Sequence, residues 1–214
     1  MKDRSIAVLG LGEYGSSLAR ELHARGADVM VVDKDPRLVQ DFADKAAAAV
    51  CADLSDEDAL NEMGLEQMDA VIICMGADLG PSALAAAVAK EKGVPLVMAK
   101  AATDHIASIL KRVGADRVVK PEEESGRRTA RMLMASNFLE LFEVDDEFCI
   151  AELKPKKKWL GKSLRELQLR QKEQVYVIAV RTPSRSWTLA DADTPLTEDM
   201  LLLAALEEEG TCCS

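Results

Sequence analysis

From Ser5 to Glu122 short apolar runs alternate with amphipathic stretches. SIAVLGLG, DVMVVDKDP, AAAAVCAD, MDAVIICMG, VPLVMAKA and DRVVKPE predict six strands. Between them lie EYGSSLARELHARG, a segment that runs through Phe42, SDEDALNEMG, GPSALAAAVAKEKG and TDHIASILKRVG. These have helical spacing, and all but the second close on a glycine. Six apolar strands separated by helices predict an α/β fold with a parallel, doubly wound sheet and right-handed crossovers.

The next stretch, EESGRRTARMLMASNFLELF, predicts one long helix reaching Phe142, with a Met and Leu stripe as packing surface. Met132, Leu133, Phe138 and Leu141 form that stripe, and a single chain of this size has little else to cover it. After Phe142 the pattern changes. FCIAELKP and VYVIAVRTP alternate like strands, SLRELQLRQ between them is a short helix, and SWTLADADTPL leads to a last strand, MLLLAAL. The expected division is residues 1–142 as the sheet domain with its long helix, and 143–214 as a small C-terminal α+β lobe. The lysine run KPKKK at 154–158 is read as a solvated turn.

Composition narrows the function. A net charge of -10 argues against nucleic acid or anionic lipid as a partner, since both require a basic face. No long apolar run or signal-like N-terminus is present, so a soluble, cytoplasmic protein is expected, one that reaches a membrane only through a partner. The five cysteines are odd in number and lack paired metal spacing; Cys51 and Cys74 fall in strand-like runs, where thiols are buried as small hydrophobes. Cys212 and Cys213 belong to a fraying tail. With His23 and His105 as the only histidines, a zinc centre or a His-dependent triad is not expected.

The chemistry gathers at strand ends. Gly10, Gly12 and Gly15 form G-x-G-x-x-G directly after a strand and before a helix, the context in which that motif carries meaning. The first glycine permits the turn, the second lets backbone N–H groups approach phosphate, and the third lets helix pack on strand. Phosphate then lies at the positive end of the helix. Asp33 ends the second strand, where a carboxylate can accept both ribose hydroxyls and repel a 2′-phosphate, which disfavours NADP. Asp53 follows the third strand, as an adenine contact or as a helix cap. Lys100 closes the fifth strand, where phosphates would extend. Glu122 follows the sixth; it caps the next helix, or reaches a cation or a neighbouring subunit's ligand.

VLGLGEYGSSLARELHARGADVMVVDKDP, GADRVVKPEEESG and the small C-terminal module together resemble the RCK (regulator of potassium conductance) family, nearest to the Ktr/Trk-type cytosolic regulators of potassium uptake. The resemblance covers nearly the whole chain, and GADRVVKPE is its most specific segment. It implies a Rossmann-type N-terminal lobe, a crossover helix that pairs lobes into homo-dimers, and an octameric ring beneath a membrane potassium channel or transporter subunit. It also implies that ATP, ADP or NAD(H) binds the N-lobe and changes the shape of the ring. Gly10, Gly12 and Gly15 would hold phosphates, Asp33 the ribose, Asp53 the adenine side and Lys100 the phosphates, with Glu13, Tyr14 and Lys34 in the same cofactor-binding set. Glu122 would lie at a divalent-cation site between subunits. Where close relatives often carry an arginine that grips a terminal phosphate, this chain has Glu13, which repels a triphosphate by Coulomb interaction. Some relatives bind cyclic di-AMP between two C-terminal lobes, which would use Leu169, Arg170 and Ile178. An NAD-dependent oxidoreductase with a minimal substrate lobe is the alternative; it lacks the His, Tyr and Lys clusters that proton transfer to a substrate needs.

Overall fold

The computed structural model describes residues 4–75, 78–134, 138–143, 148–182 and 186–207. The chain divides into two compact units, Met1–Glu123 and Glu124–Ser214.

In the first unit β1 (Ser5–Leu9), α1 (Glu13–Ala24), β2 (Asp28–Asp33), α2 (Pro36–Gln40), β3 (Ala48–Cys51) and α3 (Glu57–Glu62) alternate, followed by β4 (Ala70–Ile73), α4 (Leu79–Glu91), β5 (Val97–Lys100), α5 (Asp104–Arg112) and β6 (Arg117–Val119). All six strands are parallel, in the order β3-β2-β1-β4-β5-β6. Side chains alternate between faces along a strand, so each strand feeds two cores. Ala7, Leu9, Met30, Val32, Val71 and Ile73 pack with Leu60, Ala85 and Leu110, and hence with α3, α4 and α5. Ile6, Val8, Val29, Val31 and Ile72 pack with Ala19 and Val39, and hence with α1 and α2. Helices on both faces explain why these strands read as continuous apolar runs. The order reverses between β1 and β4, which opens a crevice at their carboxyl ends.

Two expectations in this unit are corrected. α2 stops at Gln40 and does not reach Phe42, although Phe42 is buried in the α1–α2 core. Cys51 is exposed, because β3 is an edge strand with most of its residues open to solvent. Cys74 is buried as expected.

The long helix is shorter than its pattern suggests. α6 spans Pro121–Met134, and residues 138–143 form a strand, β7 (Phe138–Glu143). FLELFE pairs with β8 (Phe148–Leu153), and the ladder's hydrogen bonds outweigh the helical spacing of its Leu and Phe residues. Of the expected stripe, Leu133 is on α6 and exposed, while Phe138 and Leu141 belong to β7. The expected boundary at 142 therefore falls inside a strand, and the two units divide within α6.

The second unit continues with α7 (Leu164–Leu167), α8 (Leu169–Glu173), β9 (Val175–Arg181), β10 (Thr188–Leu189) and β11 (Leu201–Glu207). Its sheet is antiparallel, ordered β10-β9-β11-β8-β7. One face is buried: Cys149, Ala151 and Leu153 of β8 pack with Leu202, Ala204 and Leu206 of β11, around Trp159, Leu169 and Leu196. The single helix expected at 163–171 is two, because Gln168 adopts a left-handed φ of 49° and ends α7. KPKKK is not free-standing. Lys156 and Lys158 both reach Glu173, at 3.2 and 2.7 Å, and Trp159 Nε1 donates to the same carboxylate at 3.1 Å.

Candidate functional site

The β1–α1 turn is built around glycines. Gly10 has φ 95°, and a β-carbon there would lie 2.8 Å from Met75 Cγ. Gly15 is tighter: its β-carbon would stand 1.9 Å from the Gly10 carbonyl oxygen, so α1 approaches the turn only without one. Gly12 differs, since a β-carbon there would meet nothing within 4 Å. That open space faces a cleft of about 340 Å³ lined by Gly10, Gly12, Asp33, Lys34, Asp53, Leu54, Ser55, Cys74, Met75, Asp78, Pro81 and Lys100.

Helix ends distinguish this cleft. α2, α3 and α5 are closed by side chains: Asp35 accepts from Arg37 N–H, Asp56 from Asp58 and Ala59, and Thr103 from Ile106. α1 begins on Gly12 and α4 on Asp78, neither with a side-chain cap bond, and both residues line the cleft. Uncapped N-terminal amides and the helix dipole make a place for an anion. The Ser82 hydroxyl, 2.7 Å from the Asp78 carbonyl and 3.0 Å from that of Met75, pins the β4–α4 connection. Burial pushes the Cys74 thiol up to about 12, so it stays protonated and unreactive.

Asp33 does more than its position at the end of β2 suggests. Its Oδ2 accepts from Leu11 N–H at 2.6 Å and its Oδ1 from Asp35 N–H at 2.9 Å. One carboxylate thus ties the glycine turn to the β2–α2 turn, with a second lone pair on each oxygen for a ligand hydroxyl. Asp53 is not the cap of α3, a role that Asp56 takes. Its Oδ1 accepts from Ser55 N–H at 2.9 Å, and that bond lowers its pKa. It keeps its place in the cleft wall beside Lys34.

Lys100 and Glu122 were expected at phosphate and at a cation, and the structure joins them. Lys100 Nζ donates to Glu122 Oε1, and this bond holds the Glu122 carboxyl below its usual range. The same ammonium lies 5.8 Å from the ring centre of Tyr14, in the first turn of α1. Glu13, the first residue of that helix, is exposed. Gly10, Gly12, Asp33, Lys34, Asp53 and Lys100 therefore share one cleft. Gly15 lies behind the turn, Tyr14 beneath Lys100 and Glu122 at its outer side. The wall formed by Cys74, Met75, Asp78 and Pro81 was not foreseen; its signal is the strand order, which puts the end of β4 beside that of β1.

In the second unit Arg170 and Tyr176, with the guanidinium 5.5 Å from the ring centre, line a hollow of about 380 Å³ with Phe148 and Gln174. Leu169 is a core residue there.

A switch-point cleft with a close-packed glycine turn, an uncapped helix end and a carboxylate after the second strand defines a Rossmann-type nucleotide-binding domain. The TrkA-N domain family matches residues 6–121. Ktr system potassium uptake protein C of Bacillus subtilis (strain 168) is 32% identical over 178 residues, 83% of this chain and 80% of that protein. Ktr system potassium uptake protein A of Vibrio alginolyticus is 32% identical over 198 residues, 89% of this chain and 90% of that protein. The crystal structure of the GsuK RCK domain superposes with a TM-score of 0.66 at 19% identity, over 100% of this chain and 47% of that one. A structure of the GsuK channel bound to NAD gives 0.65 at 20%, over 100% and 38%. The chain belongs to the TrkA-N domain family, together with the Ktr system potassium uptake proteins.

Proposed function

We propose that this chain is a nucleotide-sensing regulatory subunit of a membrane potassium-uptake system. It binds an adenine nucleotide, ATP, ADP or NAD(H), in the cleft and passes the change to a partner potassium channel or transporter subunit. The observation that carries this reading is the cleft itself: Gly12 opens it, two uncapped helix ends face it and acidic residues line its far side, in a chain of the Ktr family. In the ligand's path Gly10, Gly12, Gly15 and Lys100 hold phosphates, Asp33 the ribose, and Lys34 and Asp53 the adenine side. In this reading the chain senses and does not catalyse: Asp33 is engaged by two backbone amides, as a ligand-fixing group is, and the Cys74 thiol is kept neutral, which does not suit a nucleophile.

Homo-dimers assembled into an octameric ring on the cytoplasmic face of the membrane are the form in which it acts. Among the described residues no helix is long and apolar enough to cross a membrane; in this reading a membrane partner subunit supplies the link. A divalent cation at Glu122 would take its further ligands from a second copy or from phosphate oxygens. Arg170 beside Tyr176 favours a second ligand of the C-terminal unit, a cyclic di-AMP held between two copies, since a base can stack on the ring and a phosphate can meet the guanidinium.

Calorimetric titration with ATP, ADP, AMP, NAD and NADH, with and without magnesium, tests the reading. Binding of at least one adenine nucleotide without turnover is expected; no binding by any of the five would reject it.

A further inference from the structure

Lys100 and Glu122 meet at the rim of the cleft, and their exposure is unequal. The Lys100 side chain is 18% exposed and stands over Tyr14, whereas that of Glu122 is 67% exposed. The lysine is held in place and the glutamate is free to swing into solvent. Lys100 lines the cleft wall shared with Gly10 and Gly12, and its Nζ stands over the ring of Tyr14, a residue of the first turn of α1, the helix end that attracts an anion. An ammonium in that position is the natural partner of a phosphate. In this structure a carboxylate of the chain itself has taken it.

We infer that Glu122 is an internal stand-in for phosphate: it holds Lys100, and a nucleotide must displace it. The inference rests on the nucleotide-binding role proposed above and adds a rule of selection to it. A nucleoside without phosphate leaves the Lys100–Glu122 pair intact and gains nothing from the lysine. A nucleotide exchanges one anion for another at Lys100 and releases Glu122. Glu122 is the second residue of α6, the helix on which the chain passes into its second unit. The release therefore leaves an unpaired carboxylate in that helix's first turn whenever the site fills, and a carboxylate freed there is available to a cation.

The exchange is measured by titrating adenosine and ADP into the full-length protein in a metal-free, chelator-treated buffer. The proteins compared are the wild type, Glu122→Gln, Lys100→Met and the double variant, with thermal melting to confirm folding. Glu122→Gln should tighten ADP by about two- to fivefold, the size of a part-exposed ion pair, and leave adenosine unchanged. Lys100→Met should weaken ADP and spare adenosine, and in that background Glu122→Gln should have no effect. If the gain persists without Lys100, Glu122 acts by general repulsion and the exchange is overturned. It is overturned equally if Glu122→Gln changes neither affinity or loosens ADP, or if Lys100→Met binds ADP as the wild type does. A wild type that binds neither adenosine nor ADP overturns the exchange, and only if ATP, AMP, NAD and NADH also fail to bind is the nucleotide-binding reading itself rejected, a result distinct from all of these.

Discussion

The cleft of the first unit and the Glu173 cluster of the second dispose their charged groups differently. In the first, Asp33, Lys34, Asp53, Asp78 and Lys100 converge on a hollow, and the two helices that start there are left uncapped by side chains. In the second, charges converge on one another. Glu173 holds Lys156, Lys158 and the Trp159 indole, Arg165 pairs with Asp193, and α7 starts in a full capping box between Ser163 and Glu166. A group satisfied inside the chain stabilises the fold, and a group aimed at a hollow has its energy available for a ligand. The contrast also holds within one motif, between Gly15, which is filled from behind, and Gly12, which is open in front.

The sharpest way to break the comparison is to add one methyl at each of those glycines. Gly15→Ala puts a β-carbon 1.9 Å from a backbone oxygen, and backbone cannot yield as a side-chain tip can. A loss of about 3 kcal/mol or more in the first unit is expected, with nucleotide binding lost as well. Gly12→Ala meets no protein atom within 4 Å, and the extended backbone there, with φ -61° and ψ -175°, is one that alanine adopts readily. Its stability should stay within about 0.5 kcal/mol of wild type while nucleotide affinity falls. Thermal melts paired with calorimetry check both; equal destabilisation by the two would remove the distinction.

Much of this could be read from the chain because the signals were local. Apolar runs with intervening helices stated the parallel sheet, and three glycines in their strand-to-helix context stated the turn. The misreadings arose where partners distant in sequence decide. FLELFE has helical spacing, yet ladder bonds to β8 make it a strand. Cys51 has a buried strand's neighbours, yet its strand lies at the sheet edge. Asp53 sits where a cap could be, but Asp56, three residues on, has the geometry. The pairing of Lys100 with Glu122 was the least legible: Lys100 reads as a phosphate ligand and Glu122 as a helix cap or a group for a cation or a neighbouring subunit's ligand, and nothing in either local stretch points to the other.

Asp33 tests whether a residue can serve both purposes. Asp33→Ala should weaken adenine nucleotides about tenfold or more through the lost ribose contacts. It should also cost about 1–3 kcal/mol of stability, because the Leu11 and Asp35 amides lose their acceptor. Unchanged affinity in calorimetry would sink the ribose assignment and leave Asp33 a purely structural tie.

In the second unit the same logic predicts a stability effect without a binding effect. Burial raises the Glu173 pKa, but bonds from Lys158, Trp159 and Lys156 outweigh it and hold the carboxyl down at about 2. A depressed folded value stabilises the protein above the ordinary glutamate pKa, and this is lost as pH falls from about 4.5 towards 2. Glu173→Gln should therefore cost about 1 kcal/mol at neutral pH, and the gap to wild type should close across that window. Both tryptophans, Trp159 and Trp187, belong to this unit, so selectively excited tryptophan fluorescence follows its unfolding. A gap that stays constant down to pH 2 would show that Glu173 acts through shape and not charge.

The smallest effect concerns Glu13, where the two ways of handling charge meet. As the first residue of α1 it suits the helix dipole, which favours a carboxylate by a few tenths of a kcal/mol. The same end of the helix is where ligand phosphate comes, so a carboxylate good for the helix opposes the ligand. The conflict grows with the ligand's charge, and a triphosphate should suffer more from it than a monophosphate. Glu13 is exposed, so water and salt screen the repulsion and keep the effect modest. Glu13→Arg should tighten ATP by about threefold more than it tightens AMP or NAD, and the difference should shrink as salt rises from low to physiological strength. Titrating the three ligands into both proteins at two salt concentrations measures it. Equal shifts for ATP and AMP would mean that Glu13 does not sense the terminal phosphate and serves α1 alone.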